Sequence, residues 1–229
     1  MEQKNLKLHQ QNSSFHHLVH VIRGRVGEEI ELIDGNGVLA QAKIVSIAKD
    51  SATCQVLDVT KEPPASFHLI LALGMLKMSH LEIAIEKACE LGINEIWLFQ
   101  SERSEKKSLS TNGMKRLSHI LLAATKQSGR LFLPKLRVKK DLAECLLESK
   151  NPYYGTFEDT VSLEKISQDI ATKKNITIFI GPESGFSKKE QQALQKAGSI
   201  PFSLNPNTLR AETAAIVATA FFRYLLSFR

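Results

Sequence analysis

Cysteine is scarce in this chain, and the three present are badly placed to act together. Cys54, Cys89 and Cys145 are scattered through 229 residues. They suit neither a disulfide framework nor a zinc site, and a reducing cytoplasm is the simplest setting. No apolar run is long enough to span a bilayer. The opening stretch, MEQKNLKLHQ, lacks the apolar centre of a signal peptide. The seven histidines show no metal-ligand spacing. His16, His17 and His20 cluster, but without nearby carboxylates, so no metal is expected. Neither an internal repeat nor a low-complexity tract is visible.

What is there begins with an apolar fraction of 43%, sufficient for a packed core in one or two domains. The net charge is +6, and it is unevenly spread. Between Ser101 and Lys140 stand eleven Lys and Arg against two Glu, so the rest of the chain is net negative. A basic segment on such a body suits a polyanion, RNA or DNA first. A solvated lysine face would give the same count.

Ser13 or Ser14 is placed to cap a short helix through Phe15, Leu18, Val19 and Ile22. Strands follow at Glu29–Ile33, Val38–Ile47 and Ala52–Val59, the first two joined by Asp34-Gly35-Asn36-Gly37, a hairpin signal. This portion, residues 1–64, reads as a small antiparallel β module, with closure as a barrel one way to arrange it. Pro63-Pro64 ends it as a stiff linker. From there to the end, residues 65–229, strands and helices alternate: strands at His68–Leu73, Glu95–Gln100 and Tyr153–Phe157, helices at Asn112–Ser128, Asp141–Ser149 and Ser162–Thr172. Ser79-His80-Leu81-Glu82 reads as a capping box. Its helix would bury Leu81, Ile85, Ala88 and Leu91 and stop at Gly92. Lys87 and Glu90, a turn apart on that helix, read as a surface pair. The fold class is α/β, a mainly parallel sheet with helices on its faces.

The stretch from Ile176 to Glu190 organises the rest. A run of Ile, Thr and Phe breaks at Gly181-Pro182, passes Ser184-Gly185, and meets Ser187-Lys188-Lys189-Glu190, a capping box. Strand, glycine loop and helix start sit where open α/β sheets bind ligands. Ile200–Leu204 repeats the strand, Asn205-Pro206-Asn207 the turn, and Ala211–Phe228 the helix, apolar on most sides. Two loops on adjacent strand ends would form one pocket. No Gly-Lys-Ser/Thr follows the first loop, and it is not Gly-x-Gly-x-x-Gly. A glycine loop of this kind suits an adenosine without phosphate, or is simply a tight turn. Glu183 and Glu212 could each be a general base, a cation partner, or an acid facing a helix dipole. Arg210 could hold a phosphate or a uracil oxygen, or pair with either glutamate.

The residues then resemble a known family, the RsmE 16S rRNA uridine-N3 methyltransferases of the SPOUT (trefoil-knot) superfamily. The resemblance rests on six blocks in order. They are His16-His17-Leu18 with Val21-Ile22-Arg23 and Gly27, taken together with Asp34–Gly37; Glu86–Ile93; Ser101–Ser104; Gln127–Arg130 with Pro134; Ile180–Ser187; and Leu209–Ala214. Ser184 stands where the family usually has a second glycine, and Asn207 where it usually has arginine.

The resemblance implies a PUA-like RNA-binding β-barrel domain over residues 1–64. It implies a SPOUT methyltransferase domain with a deep trefoil knot over 65–229, a homodimer, and 16S rRNA, within the 30S particle, as substrate. The cofactor it implies is S-adenosylmethionine, held by Leu73, Gly74, Ile180, Gly181, Pro182, Glu183, Gly185, Ile200, Leu204, Leu209 and Thr213. Arg210 would stabilise negative charge on the uracil oxygens, with Glu183, Glu212 or solvent taking the N3 proton. Arg23, Arg103, Lys126 and Arg130 would contact RNA. A non-catalytic RNA-binding assembly factor, or a methyltransferase for another RNA position, is the alternative.

Overall fold

The computed structural model describes residues 5–9, 13–105, 108–158 and 160–227. Lys106 and Lys107 of the basic segment, Phe228 at the expected end of the last helix, and the side chain of Ser13 lie outside that description. The chain divides into two compact units, residues 1–64 and 65–229.

In the first unit, β1 (Asn5–His9), β2 (Glu29–Ile33), β3 (Val38–Ile47) and β4 (Ser51–Lys61) form one antiparallel sheet in the order β1-β4-β3-β2. Strand alternation sends Ala42 and Ile44 of β3, and Ala52 and Cys54 of β4, to one face. There they meet Phe15 and Leu18 from a short helical segment, α1 (Ser13–His16), which continues as a π-turn over His17–Val21. The hairpin between β2 and β3 forms where expected. Asp34 Oδ1 accepts from the amides of Asn36 (2.7 Å) and Val38 (3.0 Å), and those bonds hold its carboxyl below the usual range. Among the described residues the four strands pair as one sheet, with β1 and β2 at its edges. β1 itself, NLKLH, was not expected from the sequence; four of its five residues are exposed, so it carries little apolar signal.

The second unit is a six-stranded, all-parallel sheet. Its strands are β5 (His68–Gly74), β6 (Glu95–Gln100), β7 (Lys135–Asp141), β8 (Pro152–Gly155), β9 (Asn175–Ile180) and β10 (Ile200–Phe202), in the order β10-β8-β9-β5-β6-β7. Helices cover both faces, so the central strands are apolar at nearly every position. Leu69, Leu71 and Leu73 of β5 face one layer with Ile176, Ile178 and Ile180 of β9. That layer packs on α2 (Met78–Glu90), α3 (Thr111–Gln127), α5 (Leu163–Ile170) and α7 (Ala211–Ser227). Ile70 and Ala72 face the other layer with Trp97, Phe99 and Phe179, under α4 (Leu142–Glu148) and α6 (Lys188–Lys196).

Several expectations change in detail. Ser79 does not cap α2: the helix starts at Met78 after Lys77, with no side-chain cap from its own segment. Glu82 instead pairs with Arg116 of α3 at 2.6 Å. Leu91 lies beyond α2 and is only partly buried. α7 buries one stripe rather than most of its surface, and Tyr224 stays 62% exposed. Lys87 and Glu90 do pair, at 2.8 Å. Among the described residues, no helix is long and apolar enough to cross a membrane.

Candidate active site

The loop after β9 is shaped by close backbone approach. A Cβ on Gly74, at the end of β5, would lie 2.8 Å from Pro182 N and Cδ; one on Gly181 would lie 3.0 Å from Phe186 N. The first distance is too short for a side chain, so glycine is needed at Gly74; the second is tight, and a Cβ at Gly181 would push the Phe186 backbone. Gly185 turns the chain back with φ +68° and donates to Pro182 O at 2.8 Å. Phe186 is then buried edge-on against Tyr154.

The expected capping box follows: Ser187 Oγ accepts from Glu190 N (3.1 Å) and Glu190 Oε2 from Ser187 N (2.9 Å). Glu190 does more than the sequence indicated. It is buried, and it also accepts from Ser101 Oγ (2.9 Å) and Glu102 N (3.0 Å), tying the loop after β6 to the head of α6. From that tied loop Arg103 reaches over and donates to Ser184 O at 3.1 Å. Bonds from the Ser187 hydroxyl and Lys189 hold the exposed Glu102 carboxyl below its usual range.

The second loop, after β10, closes on itself. Asn205 Oδ1 accepts from Asn207 N at 2.7 Å, and Ser203 Oγ donates to Asn205 O at 3.1 Å. β9 and β10 are not neighbours, contrary to the adjacent-strand picture: β8 runs between them. Its own loop, Gly155 to Glu158, therefore becomes a third wall, fixed where Thr156 N donates to Phe202 O at 2.9 Å.

The three loops enclose a cavity of about 430 Å³ at the carboxyl ends of β8, β9 and β10, a size usual for a small-ligand site. Of the candidate cofactor residues, Ile180, Gly181, Pro182, Glu183, Gly185, Leu204 and Leu209 line it. Leu73 is buried in the core, and Gly74 sits behind Pro182. Ile200 opens its strand, at the end away from the loops, and Thr213 is exposed on the first turn of α7. Arg103, a candidate for RNA, lines the cavity instead.

These coordinates fit what the chain matches. Residues 63–223 match the RNA methyltransferase domain, and residues 11–57 the RNA methyltransferase PUA domain. A ribosomal RNA small subunit methyltransferase E from Rickettsia conorii is 31% identical over 214 residues, covering 92% of this chain and 86% of that protein. The chain belongs to the ribosomal RNA small subunit methyltransferase E family. A second member, from Buchnera aphidicola, is 28% identical over 89% of this chain and 82% of its own. Among solved structures, a putative methyltransferase from Legionella pneumophila, in complex with bound cofactor SAM, superposes with a TM-score of 0.87. It is 26% identical, over 97% of this chain and 92% of that one.

Within this methyltransferase family member, the ionisable candidates separate. Glu183 lines the cavity, and its Oε1 accepts from Lys77 N and His80 Nδ1, both at 3.1 Å. It thus supplies the cap that α2 lacks. Partial burial works to raise its carboxyl's pKa, but bonds from its own backbone, Lys77 N and His80 outweigh it, and the net direction is down. Glu212 does not reach the cavity; it is buried beneath, with Oε2 3.9 Å from His80 Nδ1. Arg210 is exposed, and its carbonyl starts α7 by accepting from Ala214 N at 2.8 Å.

Of the RNA candidates, Arg130 is tied into the fold and Lys126 is half-buried. Arg130 donates to Cys89 O (2.6 Å) and Ile93 O (2.7 Å), closing the end of α2, and burial lowers its pKa. Burial likewise lowers that of Lys126. Arg23 is exposed in the first unit, in a left-handed conformation with φ +56°. Sequence reasoning missed His80 and the Gly155–Glu158 wall; the glycine that ends β8 was the one available signal for the latter.

Proposed function

We propose that this chain transfers the methyl group of S-adenosylmethionine to N3 of a uridine in 16S rRNA. The observation that carries the reading is the make-up of the cavity wall. Among the described residues it holds backbone, apolar side chains, neutral polar side chains such as Gln191, Ser203 and Asn205, two carboxylates (Glu158 and Glu183) and one arginine, and no lysine. Such a wall suits a nucleoside bearing a positive sulfonium and no phosphate. The Gly181 and Gly185 positions, where a Cβ would be crowded or strained, leave backbone for the ligand to lie against. The Legionella structure holds the same cofactor on the same fold.

Gly181, Pro182, Gly185, Leu204 and Leu209 would hold the cofactor. When bound, it supplies an electrophilic methyl group. Uridine N3 is a poor nucleophile until its proton leaves, so the chain must favour the anion. Arg210 fits that task. Its charge sits at the amino end of α7, where the dipole disfavours a cation, and none of the hydrogen bonds or ion pairs among the described residues involves its guanidinium. A substrate oxygen carrying negative charge would relieve that cost. The N3 proton leaves to solvent, and Glu183, on the wall and held ionised, offers the sulfonium a counter-charge. A base paired at N3 is inaccessible, so the target is unpaired or flipped out. The reading includes the 30S particle as substrate, a knotted second unit and a homodimer, all three carried over from the family resemblance, and a cytoplasmic setting, expected from the scattered cysteines.

The test is methyl transfer itself. Purified protein, labelled cofactor and 30S particles lacking the mark are incubated, and the product is mapped by mass. Label on N3 of one uridine is expected, and Arg210→Ala should lower the rate at least a hundredfold, the size of a lost oxyanion donor. Label on another atom, or none from a protein that binds RNA, would replace this reading with one of its rivals.

A further inference from the structure

Two walls of the cavity converge on one imidazole. Glu183 belongs to the loop after β9, and Glu212 to the first turn of α7, directly after the loop that follows β10. His80, in the first turn of α2, faces both. Its Nδ1 lies 3.1 Å from Glu183 Oε1 and 3.9 Å from Glu212 Oε2. Glu212 Oε2 is buried and has no hydrogen-bond partner among the described residues. An ionised carboxylate can only accept. Glu183 already takes one donor from Lys77 N, so the hydrogen between Glu183 and His80 sits on Nδ1.

Without that donor, two carboxylates would be left close together at one spot, one of them buried. Glu212 Oε2, 3.9 Å from Nδ1, takes no hydrogen bond from it and faces only the positive end of the N–H dipole, a weaker tie than the one to Glu183; without the imidazole between them the two carboxylates would repel, so each wall would gain by moving away. His80 opposes this from outside the cavity, since it does not line it.

We propose that His80 is a positioning residue for methyl transfer, pinning the loop after β9 and the start of α7 to the head of α2 through Glu183 and Glu212. The role in catalysis rests on the methyltransferase reading given above; the pinning does not. His80 acts through these partners and need not touch substrate. Its loss therefore falls on the shape of the cofactor site more than on the chemical step.

The experiment has two arms on the same preparations of wild type, His80→Ala, His80→Asn and Glu212→Gln. The first follows hydrogen exchange without ligand at the Gly185 amide, bonded to Pro182 O, and the Ala214 amide, bonded to Arg210 O. His80→Ala should speed exchange at Gly185 about tenfold, the loss of one hydrogen bond to a charged group, and at Ala214 by a smaller factor. Asn, which keeps a donor near the Nδ1 position, should restore slow exchange. If His80→Ala fails to fold, Glu212→Gln reads the link from its other end, through faster exchange at Ala214. Unchanged exchange in every folded variant overturns the proposal.

The second arm measures S-adenosylmethionine binding and 30S methylation. For His80→Ala the KM for cofactor should rise on the order of tenfold while kcat changes less than about threefold. A fall in kcat at constant KM would instead make His80 part of the chemistry, and would overturn the positioning role. If wild type binds no cofactor, the methyltransferase reading fails, and the first arm still decides the pinning.

Discussion

The two main walls of the cavity are built in opposite ways. The loop after β9 is fastened at a distance. Glu183 reaches α2, Arg103 arrives from the loop after β6 to bond Ser184 O, and Glu190 gathers Ser101, Glu102 and Ser187. The loop after β10 holds mainly to itself, through Asn205, and Pro206, Asn207, Thr208 and Arg210 are exposed. A segment tied to several elements opens only when they part; one tied locally opens alone. The first wall is thus a preformed face for a ligand, and the second a compliant one. The proposed RNA-facing arginine, Arg210, sits on the compliant side.

The sharpest way to break this contrast is at Glu190. Replacing it with Ala leaves the buried Ser101 Oγ and the part-buried Glu102 N and Ser187 N without their acceptor. The expected cost is about 3 kcal/mol, discounted from three full desolvation penalties because water can enter the space left. Denaturant unfolding should show the midpoint fall with an unchanged slope. A loss below about 1 kcal/mol would mean that the first wall does not depend on these ties.

Much of this design could be read from the chain, and the remainder has a common cause. β5, β6 and β9 are apolar at both parities because both faces are covered, and the run at Ile176–Ile180 announces that directly. Ser187 and Glu190 are three apart, so their capping box is visible locally. β7 was missed because five of its seven residues, KLRVKKD, are charged. It is a sheet edge, where charge is tolerated and guards against pairing with other chains. The cap of α2 was misplaced on Ser79 for a different reason. Its acceptor, Glu183, is 106 residues from Lys77, and no local spacing reveals a partner that far along the chain. His80 escaped notice for the same cause, being 103 residues from Glu183. The third wall was hidden in strand order: with β9 and β10 taken as neighbours, Gly155–Glu158 had no reason to join the site.

A gentler probe sharpens the comparison from the other side. Asn205→Ala removes the acceptor of Asn207 N, a partly exposed bond within one turn. About 1 kcal/mol or less should be lost, with α7 and the first wall unaffected. Hydrogen exchange should rise at Asn207 while Gly185 stays protected. A cost equal to that of Glu190→Ala would show the second wall to be as firmly held as the first, and the contrast would go.

The smallest expected effect is one of pH, and it separates the walls by charge. Glu183 has a folded pKa below its ordinary 4.5. A carboxylate so placed contributes stability that is fully present above its unfolded value and is lost as pH falls through the lower folded one. Protonation weakens its hold on Lys77 N and His80, and Glu102, also held low, loosens Ser187 over the same acidic range. The second wall, Ser203 to Arg210, contains no carboxylate of its own. Below pH 4.5, while the sheet is still folded, exchange at Gly185 should therefore quicken beyond its intrinsic pH dependence, and exchange at Asn207 should not. Glu183→Gln should flatten most of that response, since a neutral amide has no proton to gain there. An equal acid response at both loops, or one that survives the substitution, would place the sensitivity in the protein as a whole rather than in the ties of one wall.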